Sequence, residues 1–524
     1  LHRLALIVPL VILDACSGCG ESNLSGRADA EADTSTEPDV EITEEPATDP
    51  LPEPVVDVTE IIEMDPVEEA TDPGLELVGD CTTYEDAVFD TSHWVLTVGG
   101  SENEIPKDVI TGHDGHIYVS ATRFGGSPGQ YLLLEIDAEG HVLGQTIWED
   151  VIGNHAETSG QFHHSVTPLH DCGLLIASTT DEGAIGGLDV WLAKLDPGGT
   201  LLWQKALGGP GHDVNPSVVE TRDGGILVAA MTESWARSYD TDLWLVKLDP
   251  AARIIWQECL GGFWDEYTFG SHKVVEAPDG TIFVTVNTRS FSGANDAWVV
   301  SLDPGGGILW QKSLGHGDID DQLSAAALAF VDGYLYLAGS DAMTGATVDA
   351  AWIVKMRPAG SIVWSRSFGT DHSTQASSVI PRGDGGIIVS GTTRDESFEG
   401  IGYNAWVASL DPDGTIAWQK LIGEYQSVRS CFIARNLDGL VVTGEKDTST
   451  SGPSPNDVMV SRFGLDGTFS GTCSWFRDAD RVGPEMTTPM TITDIEPRVT
   501  DGVIVDAHST FIDPDLTVTL RCPE

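Results

Sequence analysis

Histidine and aspartate cluster in short irregular stretches of this chain, at His155, His163, His164, His212, Asp213, Asp265, His272, His316, Asp318, Asp320, Asp321, Asp371 and His372. Seven of the fourteen histidines belong to this set, a concentration that singles these stretches out for chemistry. Imidazole and carboxylate together are the side chains of cation coordination, and both hydrogen-bond the hydroxyls of sugars. Each Asp can equally cap its own turn by accepting nearby backbone N–H groups, leaving each His simply solvated. There is no His-x-x-x-His pair, no Ser-His-Asp order and no EF-hand type of calcium loop. The sequence therefore nominates no catalytic residue and no definite metal ligand, and calcium is the one cofactor these carboxylates would suit.

What would bring such residues together is a repeat. In its cleanest form, over residues 189–209, it reads DVWLAKLDPGGTLLWQKALGG, a strand, a tight turn and a second strand that return about every 53 residues. Three markers recur. The first is a turn pair: Asp114-Gly115, Asp171-Cys172-Gly173, Asp223-Gly224, Asp279-Gly280, Asp332-Gly333, Asp384-Gly385 and Asp438-Gly439. The second is a third-strand aromatic: Trp191, Trp244, Trp298, Trp352 and Trp406, with Tyr131 and Val458 as weaker equivalents. The third is a fourth-strand Trp: Trp94, Trp148, Trp203, Trp256, Trp310, Trp364 and Trp418, usually followed five residues later by Gly.

Between markers the pattern is β throughout, in short runs rich in Val, Ile, Leu and Trp bounded by turn chemistry. Gly tolerates the positive φ of a hairpin, and Asp-Pro-x-Gly presets the bend with Pro before releasing it through Gly. Asp249-Pro250-Ala251-Ala252 lacks that Gly. Four antiparallel strands at this period specify an all-β fold, a seven-bladed β-propeller of four-stranded antiparallel blades. The markers are out of phase: the fourth-strand Trp comes first, at Trp94, and is missing after Val458. The ring is thus expected to be closed by an N-terminal strand, with Trp94 to Val98 completing the sheet begun by residues 424–466.

The units over residues 242–262 and 296–315 resemble bacterial seven-bladed propeller repeats of the SBBP type. Their consensus is close to Asp-Ala-(Trp or Phe)-Val-x-Lys-Leu-Asp-x-x-Gly-x-x-x-Trp, and the match covers about residues 90–470. The resemblance implies a fold and a surface or secreted location, without implying an activity. The Asp-x-x-Gly-x-x-x-Trp spacing, as in Asp196 to Trp203, also resembles the blade motif of quinoprotein dehydrogenases. Those proteins have eight blades, and no adjacent pair of cysteines stands in this chain.

Strand direction sorts the loops. The Asp-Gly and Asp-Pro-x-Gly turns lie on one rim and are uniform. The loops from second to third strand and from blade to blade lie on the other, where a rigid scaffold carries recognition. The His and Asp set falls on that variable rim, with His155, His163, His212, Asp213, Asp265, His272, His316, Asp318, Asp371 and His372 as its candidate ligand residues. Trp235, Arg237, Tyr239, Phe291, Phe398, Glu399 and Tyr403 add aromatic and charged variety, suited to sugar or protein contacts or to packing over a blade edge.

A net charge of −55, from 82 acidic against 27 basic side chains, repels phosphate backbones and anionic headgroups, so nucleic acid is not a partner. Residues 1–20 read as a signal peptide, a basic start before an apolar run from Leu4 to Leu13 too short to span a bilayer. Its end resembles the lipobox of bacterial lipoproteins: Leu13 and Ala15 match, Asp14 departs, and Cys16 is the expected lipid attachment, with Cys19 as a second candidate. Residues 21–80 carry twenty acidic side chains against Arg27, and no aromatic. Too little apolar surface is available there to offset ordering entropy, so an extended disordered linker is expected.

The propeller is expected over residues 81–473 and a C-terminal β extension over 474–524, irregular strands laid against the ring or a small appended unit. Export permits disulfides among Cys81, Cys473 and Cys522, which flank the ring, while Cys172, Cys259 and Cys431 read as buried fillers. Location follows as the bacterial outer membrane or cell surface, otherwise the periplasm or medium, with membrane contact only through the lipid. The functional expectation is a monomeric non-catalytic binding platform for a protein or glycan. The alternative is a propeller enzyme, a glycan hydrolase or lyase or a quinoprotein-like dehydrogenase.

Overall fold

The computed structural model describes residues 93–124, 129–149, 163–181, 186–236, 241–261, 266–267, 274–290, 295–315, 322–342, 349–369, 373–395, 402–423, 428–447 and 455–469, with the backbone of six short strands beyond them. Among these residues there is no helix, and the strands form seven antiparallel sheets. Blades 1 to 6 occupy residues 103–149, 165–208, 213–260, 266–315, 322–368 and 374–422. Blade 7 takes three strands from Val428–Asn436, Gly439–Asp447 and Asn456–Gly464, and its fourth from Trp94–Gly99. The first strands of successive blades touch all the way round, blade 7 meeting blade 1, so the ring is closed with its first strands innermost. The expected seam is found in register, with Trp94 opposite Arg462 and Val98 opposite Val458.

In blades 2 to 6 two tryptophans hold the blades together in opposite directions. The third-strand indole packs back on the preceding blade: Trp352 joins Phe283 and Val299 of blade 4 in one core cluster, and Trp298 joins Leu227 and Ala229 of blade 3 in another. Its N–H is satisfied within its own blade, by Gln204, Gln257, Gln311 or Gln419 Oε1 at 3.1–3.2 Å, or by Ser365 Oγ at 3.0 Å. The fourth-strand indole reaches forward to the turn of the next blade. Trp256 donates to Pro304 O at 3.1 Å, Trp310 to Pro358 O at 2.8 Å and Trp364 to Pro412 O at 3.1 Å. Gly306 shows why that turn ends in glycine: its φ is +90°, and an added Cβ would lie 2.9 Å from the Trp256 ring.

Register corrects three of the markers. The third-strand Trp position of blade 1 is Leu132, opposite Ile147, and not Tyr131. In blades 2 and 3 the fourth-strand Trp lies opposite a lysine (Trp203 with Lys194, Trp256 with Lys247), but in blade 1 that place belongs to Gly144, opposite Glu135. Trp148 lies four residues further on, opposite Tyr131, and the two rings pack in a T shape with centroids 5.6 Å apart. In blade 7 the residue at the third-strand Trp position is Met459, opposite Thr97, and not Val458. Spacing alone misplaces all three, because it counts residues without counting pairs.

The cysteine reading also needs correction. Cys259 and Cys431 are buried free thiols, and burial pushes the Cys431 thiol up to about 12. Cys172 is half-buried at a turn with φ +67° and is disulfide-bonded, so it is no filler. Its partner is a cysteine other than those two free thiols. Cys16, Cys81 and Cys473 lie outside the described residues; Cys522 ends a strand whose side chains also lie outside them.

Beyond blade 7 the chain travels back round the outside. Phe476–Asp478 pairs with the fourth strand of blade 6, Met486–Thr487 with blade 5 and Thr491–Asp494 with blade 4. Val503–Asp506 then pairs with blade 2, Thr510–Ile512 with blade 1, and Thr517–Cys522 with Trp94–Gly99 of blade 7. These segments add a fifth strand to six of the seven blades, in the reverse of the order in which the blades were laid down. Each covers an outer edge that would otherwise present unpaired N–H and C=O groups.

Candidate functional site

On the variable rim the first strands of blades 3, 4 and 6 are stitched at their starts to the blade before. Asp213 N donates to Leu188 O at 2.5 Å, Glu266 N to Thr241 O at 2.8 Å, and Thr374 N to Asp349 O at 2.9 Å. The stitch brings acidic side chains together. Asp189 of blade 2 and Asp213 of blade 3 both press on Gly208, Asp242 of blade 3 raises the pKa of Glu266 in blade 4, and Asp457 of blade 7 does the same to Glu104 in blade 1. Gly315 shows the space this arrangement needs: a Cβ there would lie 1.9 Å from Asp296 Oδ1. The glycine five residues after the fourth-strand Trp is therefore a seat for the carboxylate that opens the third strand.

Glu104, Asp213 and Glu266 are buried, and burial favours the protonated form of each. Burial, then the neighbouring charges, pushes Glu266 up to about 8, against hydroxyl donors such as Thr288 Oγ1 at 2.8 Å. Burial pushes Glu104 up to about 7, although Gly100 N donates to it at 3.2 Å and the Arg123 guanidinium stands 3.5 Å away. Because the folded Glu266 keeps its proton to a higher pH than the unfolded chain, its contribution to stability falls as pH rises from about 4.5 to about 8, at up to ~1.4 kcal/mol per pH unit. Glu266→Gln should remove that slope. Urea midpoints of the two proteins are expected to diverge over this window, and parallel curves would show that the pair carries no such linkage.

Of the His and Asp set picked out in the sequence, His163, His164, His212 and Asp213 are described, and they are built into the scaffold. Asp213 accepts from Gly209 N at 2.8 Å and Ser234 Oγ at 2.6 Å. Oxygens turned toward N–H and O–H donors make a poor cation seat. His212 Nδ1 accepts from Leu188 N at 2.8 Å, which leaves its remaining proton on Nε2. His164 is buried, stacks on Tyr131 at 4.9 Å and is held neutral by burial and by nearby Lys107. The backbone N of His163 donates to Asn215 Oδ1 of blade 3 at 3.0 Å. His155, Asp265, His272, His316, Asp318, Asp320, Asp321, Asp371 and His372 lie outside the described residues, as do Arg237, Tyr239, Phe291, Phe398 and Glu399.

The richest described sector lies where blades 6, 7 and 1 meet. Arg429 is exposed, its guanidinium 4.9 Å from the centre of the Tyr403 ring. Beside it, Asn456 Nδ2 donates to Glu445 Oε1 at 2.5 Å, and Asn456 N donates to Asn103 Oδ1 at 3.1 Å across the seam. Burial raises the Glu445 carboxyl. Lys107 sits at a bulge in the first strand of blade 1, where burial brings its amine down to about 8. First strands of blades 3, 5, 6 and 7 bulge at similar places with Asn215, Pro216, Ala326, Ser377, Ser430 and Cys431, so among the described residues Lys107 is the charged one. Bulges re-aim side chains beside functional sites. The sequence reading picked out Tyr403 of this sector and missed its partners, since the sector joins residues more than 300 positions apart, and a contact such as that between Asn103 and Asn456 leaves no mark in a one-dimensional pattern.

The fold and the polar, irregular rim define a seven-bladed β-propeller protein with one uniform and one variable face. No protein-family profile matches the chain, and no curated protein matches it in sequence. Solved structures similar to it include the polysaccharide lyase Uly1, at 11% identity and a TM-score of 0.46, with 67% of this chain and 88% of that one covered. A PL25 ulvan lyase is similar at 10% identity and a TM-score of 0.46, covering 70% and 95%. A variant of the NanB sialidase of Streptococcus pneumoniae follows at 11% and 0.35, covering 71% and 95%. Likenesses this distant carry no argument about substrate or chemistry.

Proposed function

We propose that this propeller is a non-catalytic binding platform displayed outside a bacterial cell, and that it takes a polar, glycan-type ligand on the variable rim where blades 6, 7 and 1 meet. The observation that supports the ligand class is the exposed Arg429 guanidinium held over Tyr403, beside the Asn456 carboxamide and the Glu445 carboxyl. Guanidinium and carboxamide groups bond the carboxylates and hydroxyls of sugars, and an Arg seated on a ring meets its ligand with little ordering left to do. Display rests on the lipobox-like end at Cys16, the acidic stretch 21–80 and the likeness of the repeat to bacterial seven-bladed repeats. Glu104 and Glu266, one member of each of two carboxyl pairs on this rim, are buried and not presented at the surface.

One observation favours an enzyme instead. Glu104 near 7 and Lys107 near 8 are groups that exchange protons around neutral pH, as a general acid and base must. A single experiment separates the readings. The wild-type chain made in a bacterial host should sediment with membranes and Cys16→Ser should not; the soluble form is then applied to a glycan array with product analysis. Retention of an acidic glycan, weakened about tenfold or more by Arg429→Ala, is expected from the loss of one charge-assisted hydrogen bond. An array without binding removes the platform, and product formation abolished by Glu104→Gln establishes the enzyme.

A further inference from the structure

On the opposite, uniform rim, blade 1 breaks the repeat at three positions that converge on one point. In blades 2, 3 and 7 the third strand places a cation against the turn aspartate: Lys194 on Asp171 at 2.6 Å, Lys247 on Asp223 at 2.7 Å, Arg462 on Asp438 at 2.9 Å. In blade 1 that register position holds Glu135, so the turn aspartate, Asp114, faces a second carboxylate. The position before the second strand is glycine in blades 2, 3 and 6, where a Cβ would press to within 2.2–2.6 Å of the neighbouring strand's carbonyl. In blade 1 it is His116, whose Nδ1 lies 2.7 Å from Glu135 Oε1 and 3.3 Å from Asp114 Oδ2. Finally, the fourth-strand Trp that lies opposite this position in other blades is replaced by Gly144, which leaves Glu135 Oε2 uncovered on that side.

We propose that Asp114, His116 and Glu135 form a binding site for a zinc-type divalent cation on the turn rim of blade 1. The three ligand atoms lie within 4.8 Å of one another, on half-buried side chains, as a closing coordination sphere requires. One imidazole nitrogen and two carboxylate oxygens suit zinc better than calcium, which takes oxygen ligands in greater number. Tyr118 donates to Asp114 Oδ2 at 2.7 Å and orients it, the place of an outer-shell partner. Three ligands leave a fourth position for water or a second molecule, and Gly144 keeps that side clear. Binding replaces the proton shared between His116 and Glu135 with the metal.

The test uses the full chain and zinc alone, because the acidic stretch 21–80 will hold divalent ions loosely in every variant and cancels in the comparison. Glu135→Lys restores the pairing of blades 2 and 3, so it should fold and melt at or above the wild-type temperature in the absence of metal. After gel filtration in micromolar zinc, wild type should retain one equivalent more than Glu135→Lys or His116→Ala, and its melting temperature should rise with zinc while theirs does not. Cobalt should give visible absorption bands in wild type that both variants lose. Equal retention in all three proteins overturns the proposal, and so does a zinc-dependent rise that survives Glu135→Lys.

Discussion

Trp352→Ala is expected to destabilise the protein by about 3–5 kcal/mol, the range for removing a buried aromatic whose cavity cannot collapse. Trp352 has no exposed surface, packs with Phe283, Val299 and Leu314 of the preceding blade, and donates to Ser365 Oγ at 3.0 Å. Both walls of the cavity are sheets pinned elsewhere in the ring, so neither can move in to fill it. Phe at the same place keeps most of the volume and forfeits the hydrogen bond, and should cost less than half as much. Equilibrium urea unfolding reads both; a loss for alanine below about 1 kcal/mol would mean that the blades close on each other more freely than close packing allows.

A chain that begins at residue 101 should lose its cooperative melting transition altogether. It lacks Trp94–Gly99, six residues that are buried throughout, and with them the fourth strand of blade 7 and the partner of Thr517–Cys522. The edge of Asn456–Gly464 would then be bare, long and apolar, so association between copies should accompany the loss. A synthetic peptide of residues 93–100 added in trans should restore a cooperative transition. Calorimetry of the shortened chain against one beginning at residue 81 decides the matter, and identical melting of the two would show that blade 7 does not need its borrowed strand.

Much of the fold was legible because the repeat prints its own register. The Asp and Gly of each turn, the Trp that donates to the next turn and the Gly that seats a carboxylate are single residues with single jobs, and they recur together. Legibility failed where a residue of the right type stood at the wrong pair: Trp148 imitates the fourth-strand marker while Gly144 occupies its place. The outer strands were legible only as irregular β segments, because pieces of two to six residues that pair with other blades need no pattern of their own. The acid pairs were hidden for another reason. Asp189 with Asp213 and Asp242 with Glu266 each stand 24 residues apart, a spacing that spans the third and fourth strands and the short link between blades, and only the stitched backbone makes them neighbours. Of the His and Asp set, Asp213 and His212 prove to be part of that stitching.

Trp94–Gly99 lies between Asn456–Gly464 on one side and Thr517–Cys522 on the other. A growing polypeptide therefore releases an apolar strand whose nearest permanent neighbour has yet to be made, and which must wait for more than 350 residues to appear. Its second neighbour, Thr517–Cys522, arrives later still. Any cell that makes this protein must keep that strand from other partners until residues 456–464 have appeared, and a product truncated before them leaves the ring without its final stave.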